Sequence, residues 1–248
     1  MIRLFQRELR NQQRLFWRSR EAAFFTFLLP ILFLVLLGSV YGDGEIDGIS
    51  AATFLLAGLI GYGVVATAFA GLAISLVLRR ESGVLKRVRG TPLPTPIYLG
   101  AVIVSALVVL TILVVVQLLV GHFLLDAAWP AAPVALALVL LFGAAVFAAL
   151  GLALTGFVRS SEGASAVVNA IYLPMVFTSG VFFAVDSMPE FLQVIAMVSP
   201  LTYLLDLVRD LYVDGGNPSP TDLAVLAAWG VAGLVGALRR FRWEPWEG

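Results

Sequence analysis

The chain contains no cysteine, which excludes disulfides, thiolate metal sites and cysteine nucleophiles. It has one histidine, His122, so no metal site built on a pair of imidazoles is available. Lysine is almost missing: fifteen of the sixteen basic residues are arginine, and the exception is Lys86. Charge of either sign is scarce, at 13% of 248 residues, against roughly 25% in soluble globular chains. The formal net charge is zero, which argues against a nucleic-acid partner. No GxxxxGKS/T phosphate loop, GxSxG elbow or HExxH pair occurs. Without the phosphate loop there is no backbone cradle and lysine for nucleotide phosphates. Any ATP the protein uses is therefore expected to be hydrolysed on another polypeptide. No cofactor or metal is expected to be bound by this chain.

Apolar residues are what the chain has in excess, at 60% of the sequence. One soluble core of this length cannot hide that much apolar surface, whereas lipid solvates outward-facing apolar side chains. A span needs about 20 consecutive apolar residues. Six stretches qualify: 22–41, 51–78, 97–125, 131–158, 167–183 and 223–238. The first 21 residues are arginine-rich and lead into a stretch long enough to span, unlike a signal peptide. Segment 184–222 is semi-polar and punctuated by Pro189, Pro200, Pro218 and Pro220, with apolar patches too short to cross. It reads as short interfacial or re-entrant helices. The expected fold is all-α and polytopic: one membrane domain over 1–248, with six transmembrane helices and an amphipathic helix over 1–21.

Basic residues concentrate in cytoplasmic loops of membrane proteins. Arg3, Arg7, Arg10, Arg14, Arg18 and Arg20 precede the first span, and Arg79, Arg80, Lys86, Arg87 and Arg89 follow the second. Arg159 follows the fourth, and Arg239, Arg240 and Arg242 follow the last. Six spans put all fifteen on one side and leave only Arg209 on the other. That other side carries Asp43, Glu45, Asp47, Asp126, Asp186, Glu190, Asp206, Asp210, Asp214 and Asp222. Both termini are therefore expected in the cytoplasm, in the cell membrane of a prokaryote. The arginines of the N-terminal segment recur every three or four residues, within an arc of roughly 80° on a helix. Ile2, Phe5, Leu9 and Phe16 lie opposite. Such a helix lies at the cytoplasmic interface, with its arginines reaching lipid, and serves as an anchor or also as a contact for a cytoplasmic partner.

The span centres lack Asp and Glu, which argues against a proton-coupled carrier. Thr67, Ser75, Asn169, Tyr172 and Thr178 are candidate lining residues of a translocation route. Asn169 either faces that route or caps its helix, and Gln117 is suited to bond between helices. Pro174 breaks a helical ladder and, with Gly180, marks a candidate hinge; Pro189 and Pro200 mark candidate re-entrant turns.

Residues 80–93, RESGVLKRVRGTPL, resemble the cytoplasmic coupling loop of type-2 ABC transporter permeases, the membrane subunits of drug, lipid and polysaccharide exporters. LPMVFTSGVFF at 173–183 resembles that family's fifth span. Met188-Pro189, SPLTY at 199–203 and DLVR at 206–209 follow in the family's order. One departure is Ala184, where many members carry proline. The resemblance implies that the loop 79–96 docks on a separate ATPase subunit, present in two copies and holding ATP and Mg. Arg80, Glu81, Gly83, Lys86, Arg87 and Arg89 would carry that contact. It also implies pairing with a second permease subunit, membrane lipid as surroundings, and outward movement of an amphiphilic substrate such as a drug or lipid, the chemistry of multidrug resistance. The chain itself would be a transport subunit and not an enzyme. Two alternatives remain: a lipid-modifying membrane enzyme using the acidic stripe Asp206, Asp210 and Asp214, and a channel or scaffold subunit without a transport cycle.

Overall fold

A computed structural model describes residues 1–42, 44–213 and 215–244. Asp43 and Asp214, counted above among the acids, lie outside the described residues. Helix α1 (Ile2–Arg18) is followed after Ser19 by α2 (Arg20–Tyr41). A short antiparallel hairpin follows, β1 (Glu45–Ile46) and β2 (Ile49–Ser50), which the all-α expectation did not contain. Its turn is Asp47-Gly48, both at positive φ, the geometry an Asp-Gly pair adopts in a two-residue hairpin loop. Ser50 then caps α3 (Ala51–Val64) by accepting from the Thr53 amide.

The axis of the molecule is one unbroken helical run. It consists of α3, a π-helical segment (Val65–Gly71) and α4 (Leu72–Glu81). Every residue of α3 except Tyr62 is buried. A turn at Ser82-Gly83 leads to the short α5 (Val84–Arg89). Then come α6 (Thr95–Leu125), opened by Pro96 in its first turn, and α7 (Pro133–Thr155). The rest is α8 (Ser161–Thr178), a 3₁₀ turn (Val185–Ser187), α9 (Glu190–Val198), α10 (Pro200–Val213) and α11 (Pro220–Arg240). The main core is a cluster that joins Leu55, Leu59 and Ile60 of α3 with Phe147 of α7 and Leu201, Leu204 and Val208 of α10, and a small second one holds Val77, Val158 and Ala164. Helix α11 lies close along α7 because Gly230, Gly233 and Gly236 form its facing stripe. A Cβ on Gly233 would stand 2.8 Å from the Leu150 amide nitrogen.

Among the described residues five helices are long and apolar enough to cross a membrane: α2, the run Ala51–Glu81, α6, α7 and α11. A sixth arises if α9 and α10, bent by 84° at their junction, count as one broken span. The stretch 167–183, read from sequence as the fifth crossing, falls mainly on α8, which is 18 residues long. Ser161, Glu162, Ser165 and Asn169 make its first half too polar to join the five. Its neighbours nevertheless place it along the axis helix. The residues just before α8 receive hydrogen bonds from Arg80, Tyr172 stands against Tyr62, and Val181 lies over Gly58. Helix α8 thus runs antiparallel to residues 51–81 through most of their length. Helices α9 and α10 behave differently. Leu201 and Leu205 reach inward to Gly61, and Tyr212 comes back to donate to Ala128 O at 2.6 Å.

Candidate functional site

One end of the bundle gathers α1, the loop after α4, the α7–α8 link and the residues after α11. Arg80 is its fixed point. Only 1% of Arg80 is exposed, and all three guanidinium nitrogens are used. Nε meets Glu81 Oε1 at 2.8 Å, Nη1 donates to Thr155 O at 2.8 Å, and Nη2 donates to Val158 O. Arg80 therefore caps the last carbonyl of α7, and one in the link to α8, from a neighbouring helix. It is not part of the partner-facing surface that the sequence pattern suggested, because its charge is consumed inside. Glu81 is half-buried for the same reason.

Arg79 points the other way and donates to Gln12 Oε1 at 2.7 Å and to the Tyr98 hydroxyl at 3.1 Å. This ties α1 to the start of α6. Gln13 adds bonds at 3.0 Å to both the carbonyl and the hydroxyl of Ser105. Beyond the turn, Gly83 at φ 72° takes the left-handed geometry that lets α5 fold back. Leu85 is fully buried and seats α5 on the bundle. Lys86, Arg87 and Arg89 are exposed on its outer side. Arg89 lies 3.7 Å from Glu244, and the ring of Trp243 sits 6.4 Å from that of Tyr98, so the chain's last described residues lean on the same knob. The site is a short basic knob on a rigid base.

The candidate route residues are not brought together into one polar lining. The hydroxyls of Thr67, Ser75 and Thr178 each bond a carbonyl of their own helix: Gly63, Leu72 and Pro174. Tyr172 is buried, its ring 6.0 Å from that of Tyr62. Asn169 is exposed and does not cap α8. Ser160 does, accepting from the Gly163 amide at 3.1 Å. With Ser161 and Ser165, Asn169 makes an exposed polar stripe, four residues apart, on a helix flanked by apolar spans. Pro174 is on the exposed side inside α8. Gly180 is buried at φ 90°, and its carbonyl accepts from Arg209 Nη2. Pro189 immediately precedes α9, and the buried Pro200 opens α10.

Three features were not anticipated. The π segment Val65–Gly71 leaves no local pattern in the sequence. Arg209 Cζ stands over the Phe54 ring, 4.0 Å from its centre, and its Nη2 donates to Gly180 O, while Asp206 stands 4.0 Å off at the limit of pairing. The hydroxyls of Ser179 and Ser199 are 2.6 Å apart and join the end of α8 to the α9–α10 junction. One expectation holds as read: Gln117 bonds between helices, to Leu59 O at 3.1 Å. His122 Nδ1 lies 3.0 Å from Ala127 O, beside the ring of Trp129. Among the described residues no group of three or more His, Asp or Glu lies close enough to hold a metal.

Long apolar helices around a buried axis, with a charged knob at one end, define a multi-pass membrane protein. The chain belongs to the ABC-2 type transporter family, whose model matches residues 3–213. It is 28% identical over 224 residues to the putative transport permease YvfS of Bacillus subtilis, covering 90% of this chain and 87% of that one. It is 26% identical to the inner membrane transport permease YadH of Escherichia coli K12, covering 81% and 79%. Nodulation protein J of Rhizobium leguminosarum is 30% identical over 73% of this chain and 70% of its own.

Proposed function

We propose that this protein is the membrane-embedded subunit of an ATP-driven exporter, paired with a second permease chain and driven by two copies of a separate ATPase subunit that hold ATP and Mg. The ATPase docks on Lys86, Arg87 and Arg89, which lie in the cytoplasm together with both termini. A docking knob transmits force only if it moves as one body with the spans. The observation that carries this reading is the clamp beneath it. Arg80 ties α4 to the α7–α8 link, Arg79 ties it to α1 and α6, and Leu85 seats α5 between them. A push on α5 therefore reaches α8, whose polar stripe at Ser161, Ser165 and Asn169 faces outward. That stripe is costly against lipid. A second permease chain or a water-filled path covers it, and an amphiphilic drug or lipid-like substrate suits a path of one polar and several apolar walls.

Charge reversal tests the reading. Arg87→Glu with Arg89→Glu is expected to abolish copurification of the ATP-binding subunit from native membranes, while the melting temperature in detergent stays near that of the unaltered chain. Full copurification with continued transport removes the knob from the mechanism.

A further inference from the structure

The arginine face of α1 points away from everything the described chain supplies. The opposite face is the docked one. Phe5 stands over Gly100, Gln12 meets Arg79, and Gln13 bonds Ser105. Arg3, Arg7, Arg10, Arg14 and Arg18 form no ion pair among the described residues. Glu8, an acid on the same helix, is occupied at 2.5 Å by Gln12. Arg3, Gln6, Arg7 and Arg10 line a shallow cleft on that face, three basic side chains and an amide within two turns of one helix.

The depth of α1 in the membrane follows from α6. That helix has 31 residues and is about 46 Å long, some 16 Å more than the hydrocarbon core of a bilayer. Helix α1 docks between Gly100 and Ser105, within the first third of α6, where Tyr98 and Arg79 already bring polar groups. One residue, Ser19, separates α1 from the spanning α2, and Trp17 stacks on Phe27 of α2 with centroids 5.7 Å apart. A tryptophan bonded through its indole N–H to Gln13 and stacked on the first turns of a span marks the headgroup zone. Helix α1 is therefore level with lipid phosphates, nearer the bilayer than the exposed tip of α5.

We infer that Arg3, Arg7 and Arg10, with Gln6, form a binding site for the phosphate of anionic lipid headgroups. Guanidinium groups suit this ligand because their planar fork matches phosphate oxygens two at a time. Anionic headgroups are favoured over zwitterionic ones because no choline or ethanolamine cation is present to oppose three positive charges.

The lipid titration needs neither the ATPase nor a transport substrate, so its outcome is separable from the exporter reading. The purified full chain in neutral detergent is titrated with phosphatidylglycerol, with phosphatidylcholine and with inorganic phosphate, at low and high salt. Phosphatidylglycerol is expected to bind more tightly than phosphatidylcholine, with a preference that shrinks as salt rises. Arg3→Gln, Arg7→Gln and Arg10→Gln combined should cut phosphatidylglycerol affinity by roughly 100-fold. Arg239→Gln with Arg242→Gln, which removes charge elsewhere, should leave the preference in place. The triple lysine variant at the same positions keeps the charge and should retain part of the preference, which guards against mere misfolding of the glutamine variant. The proposal fails if the glutamine variant keeps the full preference, or if inorganic phosphate displaces the lipid at matched concentration. It also fails if the glutamine variant binds lipid normally and loses the ATP-binding subunit, which would make this face a protein contact.

Discussion

Arg79 and Arg80 are adjacent in sequence and about 100° apart around their helix, enough to send one toward α1 and the other into the α7–α8 junction. A tandem of arginines before a loop announces a cytoplasmic anchor, but nothing local says which of the two is turned inward. The consequence is energetic. Arg80→Leu strands the carbonyls of Thr155 and Val158 and leaves Glu81 without its cation. Removing one partner of a buried charged network costs about 3–5 kcal/mol. Arg80→Lys should recover little, because a single ammonium cannot reach two carbonyls and a carboxylate as a planar fork does. Arg87→Leu should be close to neutral, since Arg87 is exposed and its bond to Ser82 O is 3.4 Å long. Thermal unfolding of the three variants in one detergent orders them. An Arg80→Leu protein as stable as the Arg87→Leu protein would remove Arg80 from its position as the fixed point of the base.

Helices meet one another through their small residues, and Gly58 shows how tightly. A Cβ there would stand 2.2 Å from Val181 O, a backbone atom that cannot swing away. Gly58→Ala should therefore separate α3 from the end of α8, at about 1–3 kcal/mol. Gly100→Ala is the control: its Cβ would meet only Phe5 Cε2 at 3.6 Å, an ordinary contact, and helix propensity favours alanine by up to about 1 kcal/mol. Opposite shifts in melting temperature are expected, and a shared direction would refute the packing argument. At this scale the sequence is legible wherever composition decides. Unbroken apolar runs mark α2, α6 and α7, prolines mark the starts of α9 and α10, and arginine spacing marks α1. It is illegible where tertiary packing decides. The π segment Val65–Gly71 accommodates its extra residue against Gly151, whose Cβ would stand 2.9 Å from Phe69 O, and no pattern in 65–71 announces that. The six proposed coupling residues were found as a string, but their division into an internal strut, a turn and an exposed trio depends on which carbonyls α7 leaves free. The route residues were chosen for polarity within apolar runs, but Ser and Thr can satisfy themselves within one helical turn, and Thr67, Ser75 and Thr178 do so, which leaves polarity alone unable to mark a route.

Whether the whole chain encloses a path depends on which element makes the remaining crossing between α7 and α11. If α7 ends and α11 ends on one side, an odd number of crossings lies between them. Helix α8 and the bent pair α9–α10 are the only candidates among the described residues, and both cannot be complete spans. The contacts favour α8: it accompanies residues 51–81 from Arg80 to Gly58, whereas α10 returns Tyr212 to the α6–α7 loop at Ala128. Because the native chain has no cysteine, single cysteines placed at Ser161, Ser187 and Asn217, all exposed, report sidedness without background. An impermeant maleimide added to intact cells should label Ser187→Cys and Asn217→Cys and spare Ser161→Cys, as it spares Lys86→Cys. If the bent pair were the span instead, Ser187→Cys would be protected with Ser161→Cys while Asn217→Cys alone was labelled. The polar stripe of α8 would then belong to a helix lying outside the hydrocarbon, with no route to line. The labelling pattern thus decides whether Ser161, Ser165 and Asn169 lie along a path through the membrane or beside it.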